Sequence, residues 1–293
     1  MAQTEIRKGR QTPTKSIVLP YTRTRGAEAI SLYNSSGRTA QEWQELLIYD
    51  IMAVNEDGLW VHTKVGEEIP RRNGKNEVVV IREMWGLENS ERILHTAHRT
   101  TTSTAASRRL AQRLVGAGYE EVTRVKKGVK YGKHFTYTKQ LGLERIVLLG
   151  EGGGTIDFRT RSSQGGLGEG FDLLVIDEAQ EYTDNQETAL KYVVTDSKNP
   201  QTIFCGTPPT VVSAGTVFMK MRSTALQGER IHAHYEPLPG INRVGVYCAK
   251  KLPSIDGSFS WDGNRHKSAC DKNRWYTGRD SICILSLLSE GIN

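Results

Sequence analysis

An α/β fold with a mostly parallel central sheet flanked by helices is expected from three segments of this 293-residue chain. The run Leu173-Leu174-Val175-Ile176 leads directly into Asp177-Glu178. Four apolar residues in a row suit a strand buried on both faces of a parallel sheet. The two carboxylates then fall at its C-terminal edge, where open α/β sheets hold their ligands. Upstream, Pro70-Arg71-Arg72-Asn73-Gly74-Lys75-Asn76-Glu77 precedes the apolar Val78-Val79-Val80-Ile81. Downstream, Gln201-Thr202-Ile203-Phe204-Cys205-Gly206-Thr207-Pro208-Pro209 reads as another buried strand closing in a Gly-Thr-Pro turn.

Each segment has a chemical reading. Gly74 permits a tight turn, and the backbone N–H groups of a helix start favour phosphate oxygens. Lys75 would add a point charge on the β- and γ-phosphates. Asp177 would sit near nucleotide-bound Mg²⁺, Glu178 would orient or deprotonate the attacking water, and Thr207 would sense the γ-phosphate. Alternatives stand beside these: a buried strand can end in solvated acids, a Gly-Lys pair occurs in many surface turns, and Thr207 fits an ordinary strand-to-loop transition. The match to G-x-x-x-x-G-K-[ST] is incomplete, with Ile69 at the first glycine and Asn76 at the hydroxyl residue. The order and spacing of the segments give them their weight. Together they predict a P-loop NTPase of the ASCE type using ATP and Mg²⁺.

Along the chain, residues 1–38 read as an extended basic arm interrupted by Pro13, Pro20, Gly26 and Gly37. Thr39 is a candidate cap for a helix from Ala40 to about Val54, with Trp43, Leu46, Leu47, Tyr49, Ile51 and Met52 as its apolar face. Trp43 reads best as core. Leu59 to Val65 is the candidate strand entering the phosphate loop, and the helix after Lys75 is expected to end near Gly86. Ile93-Leu94-His95-Thr96-Ala97 is the next strand and Thr100 to Val115 the next helix. His95 and His98 lie across a strand end, and nothing completes a metal-ligand set with them. Residues 146–149 and 155–158 flank the turn Gly150-Glu151-Gly152-Gly153-Gly154 as a hairpin. No helix follows that turn, so it is not a dinucleotide fingerprint.

Composition bounds the rest. The chain is 37% hydrophobic and 25% charged, ordinary for one large α/β domain with an appendage. No apolar run approaches the ~20 residues of a membrane span, and the polar start Met1-Ala2-Gln3-Thr4-Glu5 has no h-region. Cys205, Cys248, Cys270 and Cys283 show no C-x-x-C spacing, so free thiols in a reducing cytosol are expected. The net charge of +6 suits a polyanionic partner. Arg7, Lys8, Arg10, Lys15, Arg23 and Arg25 form one basic group. Arg124, Lys126, Lys127, Lys130 and Lys133, interleaved with Tyr131 and Phe135, form another. The second would grip a nucleic-acid backbone without sequence preference, or is a solvated basic loop.

These motifs resemble the ATPase part of the large terminase subunit, the DNA-packaging motor of tailed bacteriophages. The matching residues are Trp43-Gln44, Arg71-Arg72-Asn73-Gly74-Lys75-Asn76, Thr96-Ala97-His98, Phe158-Arg159-Thr160-Arg161-Ser162, Val175-Ile176-Asp177-Glu178-Ala179-Gln180 and Gly206-Thr207-Pro208-Pro209, within residues 40 to 235. The family's phosphate loop commonly reads Arg-x-Asn-Gly-Lys, which accounts for Ile69. The resemblance implies an ATPase domain over 39–240 and motor-driven translocation of double-stranded DNA into a procapsid. Lys75 and Glu178 would be catalytic, with Thr207 as phosphate sensor. Arg71, Arg72, Asn73, Gly74, Lys75 and Asn76 would cradle the phosphates, and Asp177 and Asn76 would hold Mg²⁺. Gln44 would bind the adenine edge. Relatives carry an arginine near 162–170 that reaches a neighbouring subunit's γ-phosphate. Here that loop holds Gly166-Leu167-Gly168, leaving Arg161 or Arg159 for the role.

Implied partners are the small terminase subunit, the portal protein and further copies in a ring, in the host cytoplasm and without membrane. Residues 241–293 do not match the family's nuclease domain, so nuclease activity is not expected. That stretch reads as a truncated or frame-shifted end, or as a small subdomain packing its Trp and Leu residues. Two other functions fit the same residues: a helicase-like nucleic-acid-dependent ATPase and an inactive nucleotide-binding remnant.

Overall fold

A computed structural model describes residues 16–161, 169–210, 212–232, 247–253, 259–262 and 281–287, with side chains through residue 224. In chain order the elements are β1 (Ser16–Ile17), β2 (Arg23–Thr24), α1 (Gly26–Asn34), α2 (Glu42–Ile51), β3 (Ala53–Val54), β4 (Lys64–Glu68) and α3 (Lys75–Glu88). There follow β5 (Arg92–Ala97), α4 (Thr100–Gly116), β6 (Glu120–Glu121), β7 (His134–Thr138), β8 (Glu144–Leu148), β9 (Thr155–Thr160) and β10 (Leu173–Asp177). A 3₁₀ turn at Ala179–Glu181 precedes α5 (Asp184–Leu190), β11 (Gln201–Gly206) and α6 (Val217–His232). The remaining strands are β12 (Tyr247–Pro253), β13 (Phe259–Asp262) and β14 (Ser281–Leu287).

Five strands form a parallel block in the order β4-β11-β10-β5-β9. β11 therefore lies between the strand that leads into the loop before α3 and the strand that carries the acids. β9 returns from β8 as an antiparallel hairpin around the predicted glycine turn, and β7 and β6 extend that edge. At the other edge β14 runs antiparallel to β4, with β12 and β13 beyond it. Of residues 241–293, these three strands are described; Cys270 and Trp275 lie outside the described residues.

The near-continuous apolar strands are explained by their two covered faces. Side chains alternate across a strand with period two. Leu173 and Val175, with Ile93 and Ile203, enter a core shared with α1, α2, α3 and α4. Leu174 and Ile176, with Leu94 and Phe204, enter the opposite core with Val217, Phe218 and Met221 of α6. Each such side chain contributes roughly 1.5–3 kcal/mol by leaving water. The same alternation puts Asp177 on the face that α3 covers, and so decides which helix its carboxylate meets.

Two expectations are corrected. The extended arm assigned to 1–38 contains a helix, α1, whose Ala29, Ile30 and Tyr33 are buried. Its five apolar residues, Ala27, Ala29, Ile30, Leu32 and Tyr33, include two small alanines and span little more than two turns, which is too little to declare a period in sequence. The helix expected from Ala40 begins at Glu42 instead. Asn34 Oδ1 accepts from the Ala40 N–H at 2.8 Å, which ties residue 40 to the end of α1. Gln41 then becomes the cap, its N–H donating to Gln44 Oε1 at 2.9 Å. Arg7, Lys8, Arg10 and Lys15 lie outside the described residues.

Candidate nucleotide site

The loop between β4 and α3 turns on two left-handed residues, Arg72 (φ 65°) and Gly74 (φ 83°). Gly74 is also close to α2, since a Cβ there would come 3.0 Å from Gln44 Nε2 and the amide would have to shift by a few tenths of an ångström. Asn73 folds its amide back onto the carbonyls of Pro70 and Arg71, at 3.0 Å each. This satisfies two loop carbonyls, and the loop ends at the start of α3, a kind of helix terminus that favours anions.

Lys75, the first residue of α3, places its Nζ 3.1 Å from Asp177 Oδ1 and 3.6 Å from Cys205 Sγ. Asn76 Nδ2 donates to Asp177 Oδ2 at 3.3 Å, and the Glu178 N–H donates to Asp177 Oδ1 at 2.8 Å. Burial pushes the Asp177 pKa up, but Lys75 and then His95 outweigh it and hold the carboxyl down at about 2. For Lys75, burial pushes down and Asp177 outweighs it, so the ammonium stays charged.

Glu67, Cys205 and Asp177 occupy one rung across β4, β11 and β10. Glu67 is fully buried, with no nitrogen or oxygen hydrogen-bond partner, and burial raises its pKa from 4.5 to about 8. A raised folded value means that its stabilising effect is whole below about 4.5 and is lost as pH rises through about 8. Glu67→Gln should therefore change the melting temperature little at pH 5 and raise it progressively, relative to wild type, up to about pH 8. Thermal melts across that window check this, and a pH-independent difference would contradict it. The neighbouring Glu68 is also fully buried and faces Arg222 Nε of α6 at 3.0 Å, which ties α6 to the strand feeding the loop.

A second layer supports the acids. His95 Nδ1 lies 2.6 Å from Glu83 Oε1 of α3, and its Nε2 lies 3.9 Å from Asp177 Oδ2. Glu178 has left-handed dihedrals (φ 53°, ψ 48°) and turns the chain sharply into the 3₁₀ segment. Gln180 Oε1 accepts from the Thr207 N–H at 3.0 Å, joining the acid turn to the loop after β11.

Above the rung lies a cavity of about 670 Å³, within the ~300–1,000 Å³ of small-molecule sites. Arg71, Arg72, Lys75, Asn76, Asp177, Glu178 and Thr207 line it. His98, Arg99, Thr101, Thr102, Gln180 and Glu181 also line it. Of these, His98 and Gln180 stand within sequence motifs that assign them no role. Arg99, Thr101 and Thr102 carry no sequence signal, because only the β5–α4 junction brings them here.

Three site expectations shift. Gln44 is 3% exposed and donates to the Gly74 carbonyl at 3.0 Å, so it holds the loop before α3 rather than lining the cavity. Arg161 is 6% exposed and turned into its own chain, so it does not present a guanidinium to a neighbouring subunit. Arg159 pairs with Glu169 at 2.8 Å. Residues 162–168, including Leu167, lie outside the described residues. In the basic group, Arg124, Lys126, Lys127, Lys130 and Lys133 are exposed between β6 and β7. Phe135 is fully buried in the core and cannot meet a nucleic acid. No helix among the described residues is long and apolar enough to cross a membrane.

No protein family and no curated protein sequence matches the chain. Among solved structures it is similar to the large terminase of bacteriophage HK97, at 14% identity and a TM-score of 0.51, over 72% of this chain and 43% of that one. It also aligns with the large terminase ATPase domain of Thermus phage P74-26, at 13% identity and a TM-score of 0.45, covering 64% of this chain and 72% of that one. A third alignment is with the large terminase of a thermophilic bacteriophage in complex with ADP, at 13% identity and a TM-score of 0.37, covering 63% and 38%. The chain thus spans less than half the length of the HK97 protein. At such identities the likeness is one of fold. Over the aligned region the chain shares the fold of the HK97 structure, a mainly parallel central sheet flanked by helices.

Proposed function

We propose that this chain hydrolyses ATP as the motor part of a machine that drives double-stranded viral DNA into a procapsid. The observation that carries the reading is the 3.1 Å approach of Lys75 to Asp177, residues 102 positions apart, beneath a cavity rimmed by Glu178 and Thr207. The left-handed turn at Arg72 and Gly74 aims the loop and the start of α3 at the same space. The HK97 likeness in fold supports the packaging role.

In this reading the loop N–H groups and Lys75 hold the β- and γ-phosphates. Arg71 and Arg72 add positive charge at the mouth of the cavity. Glu178 orients a water for in-line attack on the γ-phosphorus and takes its proton, while the bond to the ADP oxygen breaks. Thr207 contacts the phosphate and, through Gln180, is joined to the turn that holds Glu178.

The donor set fits Mg²⁺ held largely by phosphates and water. Asp177 is an ionised carboxylate and Asn76 an amide beside it, and the described residues contain no cluster of three or more acidic, His or Cys ligands. Bound there, Mg²⁺ would neutralise charge on the phosphates. The exposed basic loop between β6 and β7 supplies a sequence-independent contact for the DNA backbone. The small terminase subunit, the portal protein and further copies in a ring complete the proposed assembly, in the host cytoplasm.

An ATPase assay with and without linear double-stranded DNA tests this. Glu178→Gln should bind a fluorescent ATP analogue like wild type while turnover falls by roughly 10² or more. Wild-type turnover in that variant would refute the role of Glu178.

A further inference from the structure

The left-handed backbone at Glu178 needs an explanation, because positive φ costs a non-glycine residue conformational energy. One side chain supplies it. Arg161 Nη1 donates to the Asp177 carbonyl, at 2.5 Å, and to the Thr96 carbonyl, at 3.1 Å. Its Nη2 donates to the Glu178 carbonyl at 3.2 Å. The Asp177 carbonyl belongs to the peptide plane before the Glu178 Cα, and the Glu178 carbonyl to the plane after it. Holding both planes holds both φ and ψ of that residue.

The guanidinium is itself held. It lies 5.5 Å over the Tyr182 ring, and the Arg161 N–H continues the β5 pairing to the Ala97 carbonyl at 3.0 Å. The Thr96 bond anchors the clamp to the end of β5, which flanks β10. A planar fork can reach the three acceptors at once, whereas an ammonium on a flexible stem cannot reproduce that geometry.

The geometry points to Arg161 as a positioning residue acting within its own subunit, fixing the backbone of Glu178 so that its carboxylate faces the cavity. This rests on the proposed role of Glu178 as the base. It replaces the idea that Arg161 reaches the γ-phosphate of a neighbour. A base misplaced by about an ångström loses on the order of a hundredfold in rate without changing substrate affinity.

Arg161→Lys is the test, with kcat, KM for ATP and melting temperature measured together. A fall in kcat of about a hundredfold with KM within a few-fold of wild type is expected. Tyr182→Leu keeps the guanidinium but removes the ring beneath it. It should lower kcat several-fold in the same pattern, and it serves if Arg161→Lys does not fold. Mixing Arg161→Lys with Glu178→Gln subunits should restore nothing, because each site needs both residues from one chain. Recovery on mixing, or wild-type kcat in folded Arg161→Lys together with wild-type kcat in Tyr182→Leu, overturns the proposal. If Glu178→Gln is inactive while both of these variants are fully active, this inference fails alone. If Glu178→Gln is fully active, the reading of the site fails with it.

Discussion

Lys75→Ala is expected to abolish measurable ATP turnover, weaken nucleotide binding and destabilise the fold together. The Lys75 side chain is 11% exposed and that of its partner Asp177 only 1%. Removing one member of a buried pair leaves the other charge without its main partner, which typically costs about 3–5 kcal/mol. Here the loss should fall near the lower end. Asn76 and the Glu178 N–H still donate to the Asp177 carboxylate, and His95 stands 3.9 Å away. Adding Asp177→Asn to Lys75→Ala removes the stranded charge and should return part of the stability but none of the activity. Chemical denaturation of the single and double variants, with ATP-analogue titrations, separates these effects. An unchanged unfolding midpoint in Lys75→Ala would mean that the pair contributes nothing to folding.

Arg82→Met should be the most destabilising substitution away from the cavity. Arg82 is fully buried, and its guanidinium pairs with both oxygens of Glu91 at 2.7 and 2.8 Å. Its Nε donates to Gln201 Oε1 at 2.8 Å, and its Cζ lies 4.7 Å over the Trp60 ring. Met keeps much of the volume but leaves a carboxylate and an amide oxygen without donors. A cost of about 3–5 kcal/mol follows, on the order of 10 °C in melting temperature for a domain of this size. Turnover per folded molecule should stay at the wild-type level, because no atom of this network lines the cavity. A melting temperature within a degree or two of wild type would show that Trp60 and Trp85 packing alone holds the helix.

The site is legible in the sequence where chemistry and strand period coincide on consecutive residues. Leu173 to Glu178 declare a buried strand and its acidic edge in one stretch, and Gly74-Lys75 a turn feeding a helix. Lys75 and Asp177 can be matched because a parallel sheet brings strand ends to one side. What stays hidden needs the third dimension. His95 meets Glu83 only because α3 crosses the face to which odd positions of β5 point. Arg161 can be placed near the site from its motif. Its direction, inward to carbonyls rather than outward to a neighbour, depends on a backbone turn at Glu178 that no local pattern announces. Gln44 misleads for a similar reason: its amide serves the cap of α2 and the loop backbone, uses that look the same in sequence as a ligand contact.

The rung of Glu67, Cys205 and Asp177 makes the sheet a gauge for the space beneath the cavity. With β11 in between, the backbones of Glu67 and Asp177 stand two strand spacings apart, roughly 9.6 Å. The ammonium must lodge over the middle strand, so the residue there sets the headroom. Sulfur on a single methylene leaves the space filled by Lys75, 3.6 Å away. A longer or branched substitute at 205 would lift the lysine out of its seat, and the width of one side chain thus governs whether the two halves of the motif can work as one.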